Sequence, residues 1–296
     1  MYEGLRSPNI YTPKVMPELS PIILEHPNAT FWAGGTDLMR KKDGYPSKLG
    51  EEEIIYLGEM EELRRFQRND RMIEFGSMVT LDEFLSVARS VAPEVLTKNI
   101  ESIGGRILTK RITIGGSLGA NVIKSSIPGT LAILDASYEV RFIKRKRLHS
   151  KWYPISYMNG KGTIPTGLIT HVRIPLYERN YQFFKSTGSF VRDKDGAVAV
   201  AFVANLEQNQ VVDPHISFSY PEIGFITLRE IDNAIQSLRF PSSPGETENT
   251  LKIVLEMIRQ EGKISPLQQE RTKGILKEII GEVNVKILST PTTGTK

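Results

Sequence analysis

Two glycine clusters constrain this chain most: Trp32-Ala33-Gly34-Gly35-Thr36-Asp37-Leu38, and Thr113-Ile114-Gly115-Gly116-Ser117-Leu118-Gly119-Ala120-Asn121. Glycine permits positive φ and lets a ligand approach the backbone closely. The first cluster lies between Phe31-Trp32-Ala33 and Leu38-Met39-Arg40-Lys41-Lys42. That order predicts a strand-to-helix turn whose unsatisfied backbone N–H groups face an anion. Together the clusters read as two walls of one phosphate-bearing cofactor site. Neither is the G-x-G-x-x-G fingerprint or the P-loop pattern, which argues against a nicotinamide-type Rossmann site and a nucleotide-hydrolase site.

Composition narrows the chemistry further. The 296 residues are 40% hydrophobic and 24% charged, ordinary for a globular chain of one or two domains. No run approaches the roughly 18 to 20 apolar residues that span a bilayer, and no signal-peptide pattern opens the chain, so cytoplasmic residence without membrane attachment is the expectation. There is no cysteine. The chain therefore holds no disulfide, no catalytic thiol and no cysteine-ligated cluster, which leaves redox chemistry to an organic cofactor or a partner. His26, His149, His171 and His215 show no metal-ligand spacing, and no Ser/His/Asp arrangement suggests hydrolysis. The run Lys144-Arg145-Lys146-Arg147 follows an apolar segment and reads as a solvated hairpin end rather than a nucleic-acid surface, with a basic face for a nucleotide or an acidic partner subunit left open.

Periodicity supplies the elements. A helix is predicted over Val15–Glu25, strands over Thr30–Ala33 and Ile54–Leu57, and a meander over Leu63–Gln67 and Met72–Phe75. Thr80-x-x-Glu83 is a capping box opening a helix to about Ala88. A helix follows over Pro93–Ile103, then a loop carrying the second glycine cluster, a helix at Thr130–Ala136, and strands near Glu139–Ile143 and Ile169–Ile174. Beyond Pro175, period-two segments at Phe183–Lys185, Val198–Glu207 and His215–Tyr220 precede helical patterns at Leu228–Leu238, Thr247–Gln260 and Gln268–Ile280. Strands followed by helices predict a separate α+β domain, and Ser289–Lys296 reads as a disordered tail.

The segments Ala33-Gly34-Gly35-Thr36-Asp37-Leu38 and Thr113-Ile114-Gly115-Gly116 resemble the two FAD-contacting motifs of the flavoprotein subunits of molybdenum hydroxylases, the xanthine dehydrogenase and carbon monoxide dehydrogenase medium-subunit family. The likeness continues in order through Ile54–Leu57, Leu63-Arg64, Ile73-Glu74-Phe75-Gly76-Ser77, Thr80–Leu85, Leu131–Ala136, Ile174-Pro175 and Phe184-Lys185. It implies an α+β fold: a two-subdomain FAD-binding domain of the PCMH or vanillyl-alcohol-oxidase type over 1–175, its subdomains about 1–55 and 56–175, then a smaller α+β domain over 176–288.

The same resemblance implies roles. Thr30, Phe31, Trp32, Ala33, Gly34, Gly35, Thr36 and Asp37 would wrap the FAD pyrophosphate, with Thr36 and Asp37 also capping the next helix. Thr113, Ile114, Gly115, Gly116 and Ser117 would approach the flavin and ribityl side. Ser117 stands where the family usually has asparagine, and Ser126 where it has an aspartate. Ile169 and Lys185 match flavin-lining positions, while Arg192 and Asp195 lie in a stretch that departs from the family. The implied function is that of an FAD subunit receiving electrons from an iron–sulfur subunit, itself fed by a molybdenum-cofactor subunit, and passing them to NAD or another acceptor. A stand-alone flavoprotein oxidoreductase and a scaffold that has lost FAD are the alternatives.

Overall fold

The computed structural model describes residues 9–39, 41–42, 45–46, 53–120, 125–159 and 166–289. Asn121 and the tail residues 290–296 lie outside them. The chain divides into two compact units: Met1–Ala92 with Ile103–Val122 and Ala136–Leu176, and Pro93–Ser102 with Ile123–Asp135 and Tyr177–Lys296.

In the first unit, β1 (Asn9–Tyr11), α1 (Met16–Glu25), β2 (Thr30–Trp32), the short antiparallel pair β3 (Lys41–Lys42) and β4 (Tyr45–Pro46), and β5 (Glu53–Tyr56) come first. Both β1 and β2 pair parallel with β5 between them. Parallel neighbours need a crossover, and α1 supplies it by packing Met16 and Leu19 into a core with Ile55, Leu57, Met60, Leu63, Met78 and Leu168. Of the expected strand Leu63–Gln67, Leu63 and Arg64 belong instead to a 3-10 turn, Glu61–Arg64, and only Phe66 and Gln67 fall in β6 (Phe66–Arg68), which precedes β7 (Met72–Gly76).

The helix α2 (Leu81–Ala88) opens on the capping box: Glu83 N–H donates to Thr80 Oγ1 at 3.2 Å and Thr80 N–H to Glu83 Oε2 at 2.8 Å. After α3 (Glu94–Ser102), which belongs to the second unit, come α4 (Arg106–Thr109) and α5 (Ile114–Gly119). Following α6 (Ile127–Ile133), the first unit resumes with β8 (Ser137–Lys144), β9 (Arg147–Pro154) and β10 (Leu168–Pro175). These complete an antiparallel sheet in the order β6-β7-β10-β8-β9. The basic run is its β8–β9 hairpin turn, with Arg145 and Lys146 at positive φ and exposed. Strand β9 escapes period-two reading because Arg147, His149, Ser150 and Lys151 are all exposed along a sheet edge, where lysines guard against further strand pairing.

The second unit is built on an antiparallel sheet of β11 (Tyr181–Thr187), β12 (Val198–Glu207), β13 (Gln210–Tyr220) and β14 (Gly224–Ile226), followed by α7 (Arg229–Gln236), α8 (Pro244–Glu261) and α9 (Pro266–Ser289). Alternation sends Ile216, Phe218 and Tyr220 into a core with Leu251, Val254, Ile275 and Ile279. The other face of β13 meets α6, where Gly129 lets the helix settle on Ser217 and Ser219; a Cβ there would lie 2.6 Å from Ser219 Oγ. Among the described residues no helix is long and apolar enough to cross a membrane.

Candidate functional site

The first glycine cluster leaves the C-terminal end of β2, whose last residue Trp32 accepts a hydrogen bond from Leu57 N–H at 2.9 Å. Gly35 then takes φ +71°, and a Cβ there would come within 2.5 Å of Trp32 Nε1. This is a position for glycine on both counts. The expected helix after Asp37 does not form. Met39 N–H closes a turn on Gly35 O at 2.8 Å, and the chain enters the β3–β4 ladder instead. The segment after Leu38-Met39 carries no apolar residues at helical spacing, so nothing would bury such a helix; the helix-capping roles of Thr36 and Asp37 therefore fall away.

What the turn leaves open is backbone. Among the described residues, none of the N–H groups from Ala33 through Leu38 donates a hydrogen bond, and the buried Asp37 Oδ1 has no partner. Successive free backbone N–H groups around a left-handed residue make the kind of turn that binds anions.

The second cluster is a helix, α5, rather than the expected loop. Thr113 caps it, its hydroxyl accepting Gly116 N–H at 3.0 Å. Leu81 N–H to Ile112 O and Ile114 N–H to Val79 O, both 2.9 Å, splice the segment onto the chain before α2. Gly115 N–H donates to Ser77 O at 2.9 Å, and a Cβ on Gly115 would lie 2.4 Å from Ser77 Cβ. Ser117 N–H and Oγ both bond to Thr113 O. The N–H groups of Ile114 through Ser117 are thus used internally, and the Ser117 hydroxyl serves its own helix. A glycine-rich hexamer is a poor helix on propensity alone, but the cap and the close approach to Ser77 override it.

These two segments meet. A Cβ on Gly34 would lie 1.7 Å from Arg111 O, and one on Gly116 would lie 3.8 Å from Ala33 Cβ. Half-buried Ile169 joins the same neighbourhood through the next residue, Thr170, whose carbonyl accepts Ser77 N–H at 2.8 Å.

Ser126 and Lys185 belong to the second unit, and each has its own partner. Buried Ser126 donates to Asn99 Oδ1 at 2.6 Å, and Asn99 Nδ2 in turn donates to Thr130 Oγ1 at 2.6 Å. Lys185 Nζ is ion-paired with Glu278 of α9. Arg192 and Asp195 fall in the turn before β12, where Asp193, between them, holds Arg271 at 2.8 Å.

Residues that the sequence did not mark as site residues complete the first unit's site. Arg111 and Ser77 are the surfaces on which Gly34 and Gly115 sit. Glu139, buried on β8, accepts from Ser150 and Thr170 hydroxyls, lies 3.0 Å from His171 Nδ1 and 3.7 Å from Arg141 Nε. The His171 contact, with the two hydroxyls and Arg141, outweighs desolvation and holds its pKa down at about 2.

A family model described as FAD binding domain in molybdopterin dehydrogenase matches residues 6–177. Among solved structures, quinoline 2-oxidoreductase from Pseudomonas putida 86 matches with a TM-score of 0.73 at 17% identity, covering 96% of this chain and 99% of that one. A Cu,Mo-CO dehydrogenase chain matches with a TM-score of 0.75 at 14% identity, covering 95% and 99%. Reconstituted CO dehydrogenase from Oligotropha carboxidovorans gives 0.71 at 14% identity, covering 94% and 98%. No curated protein matches the chain by sequence.

Proposed function

The chain belongs to the family of FAD-binding domains in molybdopterin dehydrogenases, and we propose that it is the FAD subunit of a multisubunit molybdenum hydroxylase. In this reading it accepts electrons from an iron–sulfur partner, fed by a molybdenum-cofactor partner, and delivers them to NAD or another acceptor. Residues 1–175 carry the cofactor and 176–288 form the C-terminal domain. The observation that carries the reading is the run of N–H groups from Ala33 through Leu38 that donate to nothing among the described residues, beside the second glycine segment. Backbone of that kind suits a pyrophosphate, and the glycines keep side chains out of its way.

The residues present fit FAD. Thr30 through Asp37 would hold the pyrophosphate end by backbone, the Asp37 carboxylate turning to a hydroxyl or N–H of the ligand rather than to its phosphates. Thr113 through Ser117 would offer a smooth wall, since the N–H groups of Ile114 through Ser117 are engaged, and Ile169 an apolar contact. Ser126 and Lys185 enter on the family resemblance alone. Bound FAD supplies one- and two-electron chemistry; the chain binds it, orients it and excludes water around it. With no cysteine, the chain depends on a partner for any cysteine-ligated cluster.

Purified protein is expected to be yellow, absorbing at about 450 nm as flavins do, or to take up added FAD stoichiometrically. Colourless protein that refuses FAD overturns the cofactor assignment. Affinity purification from the native host is expected to bring a cysteine-bearing chain and a molybdenum-binding chain; substrate turnover by the isolated chain overturns the subunit assignment.

A further inference from the structure

The bulge in β10 is where the sheet reaches the candidate site. Between Ile169 and His171 the register with β8 shifts, so Thr170 has no partner on β8. An extra residue of this kind is left out of the ladder and re-aims its neighbours. Its carbonyl, instead of pairing with β8, receives Ser77 N–H, and Ser77 O in turn receives Gly115 N–H. The position of the second glycine segment is therefore set through Ser77 by a residue that the sheet holds on its β7 side, next to the His171–Gly76 pair, and leaves unpaired on its β8 side.

On the β8 side, what holds that residue is Glu139. One carboxylate oxygen, Oε2, takes both the Thr170 hydroxyl and His171 Nδ1, while Oε1 takes Ser150. Consecutive side chains of a regular strand point to opposite faces; only at the bulge do Thr170 and His171 both reach one oxygen. Thr170 is fully buried and Glu139 nearly so, so water offers no substitute for the bonds.

We propose that Glu139 is a positioning residue for the FAD site, stapling Thr170 and His171 so that Ile169 and, through Ser77, the Thr113–Ser117 segment are held in binding geometry. This rests on the FAD assignment above. Ser150 bonds the same carboxylate but has no such link to Ser77, which separates positioning from general support.

The test is FAD titration of the full chain by flavin fluorescence, at a temperature where every variant is folded, with visible circular dichroism of the bound flavin at saturation. Glu139→Gln and the isosteric Thr170→Val are each expected to weaken FAD binding by about tenfold, the scale of one lost hydrogen bond to a charged group, and to change the dichroism. Ser150→Ala is expected to stay within about twofold of wild type with an unchanged spectrum. Should Glu139→Gln fail to fold, Thr170→Val decides alone. A wild-type chain that binds FAD while Thr170→Val matches it, or while Ser150→Ala loses as much, overturns this inference only. A wild-type chain that takes up no FAD overturns the cofactor assignment and this inference with it.

Discussion

Gly34 lies so close to Arg111 that a Cβ on the one would sit 1.7 Å from the carbonyl oxygen of the other. The two glycine segments are thus joined by backbone packed on backbone, and this glycine is required by the fold before any ligand arrives. Gly34→Ala has no rotamer with which to escape and must push the segments apart. It is expected to cost about 2–3 kcal/mol and to abolish FAD uptake. Gly119, whose Cβ would meet nothing within 4 Å, is the control: Gly119→Ala should melt with wild type. Equal melting temperatures for the two variants would refute the packing argument.

Asp37 makes a different prediction. Its Oδ1 is buried with no partner among the described residues, and an unsatisfied buried acceptor costs about 1–3 kcal/mol. Asp37→Ala is therefore expected to leave the FAD-free protein as stable as wild type or more so, while weakening FAD binding about tenfold. Thermal melts without ligand and a titration with it check both halves. A variant less stable without FAD would mean that the carboxylate already has a protein partner.

Much of this arrangement was legible where the determinant is local. The Thr80–Glu83 capping box can be read from four residues and forms with both of its bonds; the basic hairpin end follows from charge beside an apolar strand. The glycine clusters show that backbone freedom is needed there but not why. Gly34 answers to Arg111 and Gly115 to Ser77, contacts between distant segments that leave no period in the sequence. For the same reason the sequence alone places the second cluster in a loop, since its helix depends on the Thr113 cap and on the approach to Ser77. Glu139 was invisible for another reason. A glutamate within an apolar strand reads as a solvent-facing residue, and only pairing with β9 and β10 closes a hydroxyl, a second hydroxyl and an imidazole around it.

Glu139 also leaves a signature in acid. Its folded pKa of about 2 lies below the ordinary 4.5. A depressed carboxylate contributes stability that is complete above its unfolded value and is lost as pH falls through the window from about 4.5 toward 2. The displacement corresponds to about 3 kcal/mol. The gap in melting temperature between wild type and Glu139→Gln should be wide at pH 7 and narrow by pH 3. A gap that does not change across that window would mean the carboxylate is not held ionised by its neighbours.

Asp232 carries the opposite sign. It sits beneath β13, accepting Ile216 N–H at 3.0 Å with His215 3.7 Å away. Desolvation outweighs that hydrogen bond and pushes its pKa up. An acid with a raised folded pKa contributes stability that is present below its unfolded value and lost as pH climbs through the raised one. Asp232→Asn keeps an oxygen for Ile216 N–H while removing the charge that burial penalises. It is expected to raise the melting temperature at pH 8 by on the order of 2–4 °C and to gain nothing at pH 4, where the wild-type carboxyl is already protonated. A gain of the same size at both values would assign the effect to packing, and a loss at pH 8 would mean that the Ile216 hydrogen bond and attraction to Arg229 outweigh desolvation there.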